Sequence, residues 1–596
     1  MSPSGPDPRP GSGPGPGRLL LGLAAVAVAF AAADTYVVVL ALPDMMASAG
    51  LSAQELQRAA PIVSGFLLGY VAVLPLVGRI ADLRGRLPVL VGSLVAFAIG
   101  SLVTAAAYDL PSVVTGRFLQ GLGGGGLVPA TLALVGDLYP PHRRGVPLGV
   151  VGAVQEIGSV LGPLYGAVVL AFADWRAIFW LNLVVGVALA MALRRAAPGV
   201  TATAVTDRRG PPDLLGAGLL LAALAGVVLV MQPPGRLTSD VTLGLGFLPV
   251  VGSSRWLTPV GLAVAAIVAL LVLRCLTARR PLVDLRSWPA VARSVDLLGA
   301  ALLSTSLGAI VLAFATADPE VQVLSPAGPP LLGLAAVAAG AFVLRNRVAR
   351  QPLVPTGALR PAAAWGSLAV SFFVGAGLIA ALVDVPLFAR VTVHPESQLL
   401  AALVLVRFLV ALPVGALAGG WLTQRLPAGL LTAGGMSLAV VGFLSMSRWG
   451  LESLSSPVAT VPLVVCGLGF GLALAPVNAA LLASTNASVH GVASALLVVA
   501  RMVGMLVGIS ALTTLGLRRF YAAQGDLPPP MEVCDGGRSR CEEFELLLRE
   551  AGLTQLQTVF VGAAVCCAVA AVLALLLFRG VRTREERAPV LAGRPG

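Results

Sequence analysis

Glu156 stands in the stretch AVQEIGSVLGPLYGA (residues 153–167), where every other residue is apolar, small or uncharged. A carboxyl group in apolar surroundings holds its proton more tightly than one in water, so it can exchange that proton near neutral pH. Other charged side chains interrupt similar apolar runs; they are Asp34, Arg117, Asp384, Arg407 and Arg501. Each costs about 2.5 to 3.5 kcal/mol inside a membrane unless it is paired, protonated or wet. The set therefore predicts proton exchange, ion pairing, or both.

Long apolar segments must position these residues. The chain has 596 residues, of which 57% are hydrophobic and 11% are charged, and its mean hydropathy is +0.91. A bilayer core about 30 Å thick needs roughly 20 apolar residues per helix, and such windows recur along the whole sequence. The composition thus predicts an all-α polytopic membrane protein. An arrangement of nucleophile, base and oxyanion donors is not recognisable, which argues against an enzyme.

Sixteen spans are predicted from these windows. They lie near 18–43, 60–80, 88–108, 111–137, 145–173, 176–194, 213–231, 257–276, 294–316, 328–345, 362–389, 397–421, 429–447, 459–482, 488–516 and 555–579. The middle of the chain contains a repeat, because DLLGAGLLLAALAGVVLV from Asp213 resembles DLLGAALLSTSLGAIVLA from Asp296. Each copy leads to a second span and then to ARRPLV or ARQPLV, so a helix pair is duplicated.

The repeat suggests a division of the chain into two six-helix halves around a four-helix insert. If one inserted pair did not span, the count would fall from sixteen helices to fourteen. The predicted regions are a disordered cytoplasmic tail (1–17), the first half (18–195), the insert (196–361), the second half (362–579) with an external loop (517–553), and a cytoplasmic tail (580–596).

The charge pattern predicts the orientation of the chain. An even number of spans places both termini on one side, and the arginines concentrate in the loops of that side, which identifies it as the cytoplasm. All 40 basic residues are arginine, which is typical of a GC-rich bacterial genome. The net charge of +12 is explained by helix ends and does not indicate nucleic-acid binding. We therefore expect a bacterial inner-membrane protein with both termini in the cytoplasm.

Several motifs resemble those of the major facilitator superfamily. The signature loop of that family, between spans two and three, is resembled by GRIADLRGRLPVL (78–90). Its fourth-span motif is resembled by RFLQGLGGG from Arg117, and the start of its sixth span by WRAIFWLN (175–182). The fifth-span antiporter motif is present as Gly149, Gly158, Gly162, Pro163 and Gly166. The resemblance implies the major facilitator fold, with two halves that rock around a central cavity.

The signature loop is the predicted gate on the cytoplasmic side. Its residues are Gly78, Asp82, Arg84, Gly85 and Arg86. Asp82 could also face the positive N-terminal end of a helix that starts near Gly491; the alternative is a solvated turn whose arginines only set topology. The second half retains a relic, GGWLTQR from Gly419, in which Gln424 replaces the aspartate and Arg425 is kept.

Further stretches resemble one branch of the superfamily, the mycobacterial triacylglyceride transporters. They are DTYVVV, QEIGSVLGPLYG, ALVDVPLF and GVASALLVVARMVGMLVG. The resemblance implies export of triacylglyceride-like lipids driven by the proton gradient without a cofactor, and an LprG-like periplasmic lipoprotein as a partner. It assigns Asp34 and Glu156 to proton coupling and gating and Arg425 to the cytoplasmic gate.

Alternatives stay open at this point. The chain could be a proton-coupled multidrug antiporter for small amphipathic drugs, or a membrane scaffold or sensor that transports nothing. Glu156 could form a static ion pair with an arginine such as Arg117.

The cysteines and histidines carry weaker signals. Cys534 and Cys541 flank DGGRSR in the predicted external loop, where a local disulfide can form. Three histidines, His142, His394 and His490, are predicted in loops with no metal-ligand spacing among them, so no metal site is expected.

Overall fold

A computed structural model describes most of the chain. The described residues are 15–51, 56–196, 213–278, 281–282, 285–287, 289, 295–315, 327–355, 357–394, 397–525, 527–534 and 541–581. Within these ranges the secondary structure is helical and includes no strand. Most of the two predicted tails, 1–14 and 582–596, lies outside the described residues.

Sixteen of the described helices are long and apolar enough to cross a membrane, and this confirms the prediction of a polytopic all-α fold. They are α1 (Gly15–Ser48), α2 (Leu56–Arg84), α3 (Arg86–Ala105), α4 (Leu110–Leu138), α5 (Gly145–Phe172), α6 (Arg176–Ala196), α7 (Leu214–Met231), α8 (Pro259–Thr277), α9 (Leu297–Ala315), α10 (Gly328–Val348), α11 (Ala362–Val391), α12 (Gln398–Leu422), α13 (Ala428–Met446), α14 (Thr460–Ser484), α15 (His490–Gly525) and α16 (Glu542–Leu577). The face of the bundle at which α1 begins is called the proximal face below, and the opposite one the distal face.

Two helical bundles make up most of the molecule. Helices α1–α6 pack on one another, chiefly through α3 with α4, α2 with α4 and α1 with α5, and α11–α16 form a second group. The two bundles meet along α2 with α15 and along α5 with α12. These two seams bring residues that are distant in sequence together at the proximal face.

The predicted external loop over 517–553 is mostly helical. Residues 517–525 continue α15 and residues 542–553 begin α16, so that each helix has 36 residues. Such a helix is about 54 Å long and exceeds a 30 Å bilayer core. Arginine and glutamate are good helix formers although they are too polar for a membrane, so the predicted ends of these two spans are not the ends of the helices.

The four inserted helices form two pairs, α7 with α8 and α9 with α10. The same ion pair joins both: an Arg274 nitrogen lies 3.0 Å from the Asp213 carboxylate, and an Arg345 nitrogen lies 3.1 Å from Asp296. Each aspartate also accepts a hydrogen bond from a backbone N–H in the first turn of its own helix. The bond from the Gly216 N–H holds the pKa of Asp213 below its ordinary value, with help from Arg274. The aspartate–arginine ion pair that joins the two helices is therefore duplicated as well.

The two pairs have different neighbours. Helix α9 packs on α2 and also contacts α15, so it touches both bundles, and the Ser304 hydroxyl donates to the Ala72 carbonyl of α2. In the first copy the position of Ser304 is occupied by Leu221, which is 67% exposed. The core contact of α7 is with α3, near the point where the Gln232 amide donates to the Ala105 carbonyl. Of the two copies, the second has a docking hydroxyl group at this position and the first has a leucine.

Candidate functional site

A buried polar network surrounds Asp34 inside the first bundle. Arg117 on α4 donates to Asp34 at 2.7 Å, and both side chains are 1% exposed. The amides of Asn182 on α6 and Gln120 on α4 donate to the other carboxylate oxygen, at 2.5 and 3.4 Å. Gln120 also donates to Ser101 on α3 at 2.8 Å. The network thereby connects α1, α3, α4 and α6.

This network changes the interpretation of Arg117. Its guanidinium pairs with Asp34 and lies over the Phe66 ring, so the static pair between Arg117 and Glu156 that the sequence left open is absent from the described residues. Gln120 and Asn182 were missed by sequence reasoning. Their signal is a single amide side chain in an apolar run, within the RFLQG and WLN stretches.

Glu156 lies at a small cavity between the two bundles. The cavity is about 40 Å³, which is room for a few water molecules at most. Residues from α4, α5, α11, α14 and α15 line it, most of them apolar, and its charged members are Glu156 from the first bundle and Arg501 from the second. Glu156 is 8% exposed, and Arg501 acts on it electrostatically. Among the described ion pairs within 4 Å neither residue takes part, so the two opposite charges face one cavity without direct contact.

Asp82 closes the α2–α15 seam at the proximal face. Its carboxylate accepts hydrogen bonds from the backbone N–H groups of Gly491, at 2.7 Å, and Val492, at 3.0 Å. These are orphan donors at the start of α15, where the helix dipole favours a negative charge. Gly78 allows the approach, since a Cβ there would lie 2.6 Å from the Gly491 carbonyl oxygen. The structure therefore brings Asp82 to the helix end that the sequence analysis named.

Arg86 reinforces this contact. Its Nη2 lies 2.9 Å from Asp82 and also donates to the Ala487 carbonyl of the second bundle at 2.9 Å, and its Nε lies 3.3 Å from Asp137. Gly85 has a φ of +92°, which favours glycine and allows the sharp turn from α2 into α3. Arg84 is half-buried at the end of α2.

The α5–α12 seam is the pseudo-symmetric counterpart of this contact and lacks a carboxylate. Gly149 on α5 packs against α12, where a Cβ would lie 2.6 Å from the Ala416 carbonyl oxygen. Gln424 is exposed, and the Arg425 guanidinium lies 3.9 Å from the centre of the Trp421 ring. Arg425 thus stacks on its own helix, α12. The two seams differ in chemistry, because a carboxylate stabilises the α2–α15 seam, whereas close glycine packing stabilises the α5–α12 seam.

The remaining antiporter-motif glycines serve a different contact. Gly158 and Gly162 face α1, where an added Cβ would overlap the carbonyl oxygens of Ala29 and Ala33, and Gly166 faces Val37 on the same helix. Small residues let two backbones approach this closely. Pro163 lies in the same helix, and its side chain is outside the described part of the structure. The motif therefore joins α5 both to α1 and to the second bundle.

Other predicted residues lie apart from the cavity. Asp384 on α11 is 5% exposed and lines a groove of about 790 Å³ with α15 and α16, and Arg407 donates to the Thr460 hydroxyl at 3.0 Å. Cys534 and Cys541 form a disulfide between the ends of α15 and α16. Within the described residues, no cluster of three or more metal-ligating side chains occurs.

Two helical bundles that enclose a cavity with one acid and one base are the architecture of a secondary transporter. Residues 24–344 match the model of the Major Facilitator Superfamily, and the chain belongs to that family. It is a multi-pass membrane transporter rather than an enzyme.

Curated relatives resemble the chain over almost its whole length. It is 34% identical to a triacylglyceride transporter of Mycolicibacterium smegmatis, across 94% of this chain and 87% of the relative. It is 33% identical to a triacylglyceride transporter of Mycobacterium tuberculosis, across 92% of each. A crystal structure of the human organic anion transporter TETRAN superimposes with a TM-score of 0.55 at 14% identity, covering 94% of this chain and 99% of that one. The structural likeness concerns the fold.

Proposed function

We propose that this protein is a proton-driven exporter of triacylglyceride-like lipids in a bacterial inner membrane, with both termini in the cytoplasm. The observation that carries the proposal is the cavity between the bundles, which is apolar except for a few polar groups and has Glu156 on one side and Arg501 on the other. In this closed arrangement the cavity has room for water only; once the bundles separate, its apolar lining would suit acyl chains, and the relatives named above are triacylglyceride transporters.

Glu156 and Arg501 couple protons to the motion of the bundles. They belong to α5 and α15, which lie in opposite bundles, so their attraction favours the arrangement that holds the bundles together. A proton on Glu156 removes the negative charge and with it the attraction. Proton uptake from one side and release to the other would therefore open the cavity alternately to the two sides of the membrane. Asp34 would act through the first bundle, since its partners Arg117, Gln120 and Asn182 all lie there.

Two features of the molecule support the proposed orientation. The proximal face would be cytoplasmic, and the Asp82 contact with the start of α15 would then keep the cavity closed to the cytoplasm. The disulfide between Cys534 and Cys541 lies at the distal face, and disulfides persist in oxidising compartments such as the periplasm. A periplasmic lipoprotein of the LprG class would receive the lipid at that face.

Transfer of labelled triacylglyceride from proteoliposomes to acceptor vesicles tests the proposal. We expect transfer to require an imposed proton gradient and to be lost in Glu156→Gln, which keeps the shape of the side chain and removes its titration. Glu452→Gln is the matched control, because Glu452 is an exposed acid in a loop of the second bundle. If lipid stays in place while a cationic dye moves with the gradient, the protein is a drug antiporter. If neither moves in a folded wild-type protein, the transport proposal is wrong.

A further inference from the structure

His490 is a buried imidazole in the closed proximal gate, and the coupling scheme above does not use it. It is the first residue of α15 and not a loop residue, and it is 2% exposed. Its Nε2 lies 3.1 Å from the Leu482 carbonyl oxygen and 3.2 Å from that of Thr485. Two carbonyl oxygens can only accept, so Nε2 carries the hydrogen and Nδ1 is the bare nitrogen of a neutral ring.

The bare nitrogen faces the other bundle. Nδ1 lies against Gly136 of α4, where an added Cβ would come within 2.6 Å of it. Nδ1 is fully buried and has no hydrogen-bond partner among the described residues. A proton placed there would have neither an acceptor nor access to water, and a buried charge without such partners is costly. The closed seam therefore stabilises the neutral form of the His490 ring relative to the protonated form.

Charged groups around the ring strengthen this constraint. From the link before α5, Arg144 donates to the Leu482 carbonyl oxygen that also accepts from His490, and to the Gly136 carbonyl oxygen at 2.7 Å. From α3, Arg86 donates to Ala487 in the link just before α15. The acids nearby are Asp82 of α2 and Asp137 of α4, and both lie within 4 Å of Arg86.

The balance of these charges is unfavourable for an imidazolium. The charge of Arg86 is offset by its two carboxylates; Asp137 also acts electrostatically on Arg144, but the described hydrogen bonds of Arg144 all go to carbonyl oxygens. Residues 482–489, which lead from α14 to the ring, contain no charged side chain. A protonated His490 would consequently stand beside the Arg144 guanidinium with no acid of its own.

We propose that His490 is a second proton site of the transporter, which is neutral whenever the proximal gate is closed and accepts a proton when that gate opens. Opening separates α15 from α4, exposes Nδ1 to water and removes the ring from Arg144. Because the open state binds one more proton than the closed state at this position, a lower pH at the proximal face favours opening. The inference rests on the gate geometry and does not depend on which cargo is carried.

Distance measurements between spin labels test this proposal on the full-length protein in lipid nanodiscs. Labels on Val146→Cys and Ser488→Cys report the separation of the two bundles at the proximal face. All samples carry Glu156→Gln, which removes the titration of the cavity acid. With an ordinary histidine pKa of about 6.5 in the open state, the open-to-closed ratio should rise about tenfold between pH 8 and pH 5.5.

Variants of two histidines separate the outcomes. His490→Asn keeps an N–H donor for the Leu482 carbonyl but cannot take up a proton, so we expect it to abolish the pH response. His394→Asn, in a loop of the second bundle, should retain the full response. An unchanged pH response in His490→Asn overturns the proposal, as does a wild-type distance distribution that does not vary with pH. Neither result would bear on lipid transfer, which the proteoliposome assay measures separately.

A nuclear magnetic resonance titration covers the case in which His490→Asn folds poorly. The chain contains three histidines, so selectively labelled imidazoles give few signals. We expect one imidazole to stay neutral on acidification for as long as the gate is closed. The absence of any such imidazole would refute the inference.

Discussion

Replacement of Asp82 by asparagine should open the proximal gate. The carboxylate accepts two backbone N–H bonds from the start of α15 and pairs with Arg86 at 2.9 Å. An asparagine at this position could keep one N–H bond through its amide oxygen, but the other bond, the ion pair and the favourable interaction with the helix dipole would be lost or weakened. Hydrogen bonds to charged groups contribute about 1.5 to 3 kcal/mol each, so we expect a loss of about 2 to 3 kcal/mol.

The part of that loss that comes from the backbone N–H groups and the helix dipole of α15 applies to the closed state alone, because α2 and α15 belong to different bundles; the pair with Arg86 lies within the first bundle and does not shift the gate by itself. A change of 1.4 kcal/mol is a factor of ten in an equilibrium constant. The ratio of open to closed molecules should therefore rise by roughly 30- to 150-fold in Asp82→Asn, measured with the Val146 and Ser488 spin labels at pH 8. Gradient-driven lipid transfer should fall, since a gate that stays open cannot alternate.

Asp137→Asn is the matched control for this experiment. Asp137 also pairs with Arg86, at 3.3 Å, but its side chain is 42% exposed and it lies in the same bundle as its partner. Exposed pairs contribute about 0 to 1 kcal/mol, so the gate equilibrium should change less than about fivefold. An unchanged label distance in Asp82→Asn, or an equal shift in Asp137→Asn, would refute the reasoning that this contact holds the gate.

Three further predictions concern helix packing; the first two are checked by the apparent melting temperature in detergent together with lipid transfer, and the third by proteolysis. Asn182→Leu removes a buried amide from the carboxylate on α1 and should destabilise the protein by about 1 to 3 kcal/mol; an unchanged melting temperature would show that the amide is dispensable. Gly158→Ala should cost about 1 to 3 kcal/mol because its methyl group meets the backbone of α1, whereas Gly218→Ala, which has open space around it, should be neutral or slightly stabilising. Ser304→Leu introduces the residue that the first repeat has at this position, Leu221, and should loosen α9 from α2 with little effect on the α9–α10 pair. Faster proteolysis of the link after α10 would report the loosening. An unchanged proteolysis rate would mean that the hydroxyl hydrogen bond is not needed.

Hydropathy along the chain was enough to predict the transmembrane architecture. Each span buries its own backbone hydrogen bonds and is apolar over the thickness of a bilayer, so its presence is a local property that composition reveals. The duplication of the inserted pair was also readable, because both copies keep the aspartate that caps the first helix. Helix ends were harder to predict, because the last turns of α15 and the first turns of α16 are polar and polarity alone does not terminate a helix.

The partners of the charged residues were decided by the tertiary structure. The sequence left open a pair between Arg117 and Glu156, whereas the packing of α4 against α1 pairs Arg117 with Asp34. Nothing in the order of residues indicates that His490 meets Gly136, or that α9 contacts both bundles while α7 contacts α3, since these contacts join segments that are distant in the sequence. The sequence by itself determined which residues would be buried in a membrane, because burial there follows local hydropathy; only the tertiary structure determined which charges meet, because an ion pair depends on distances that helix packing sets.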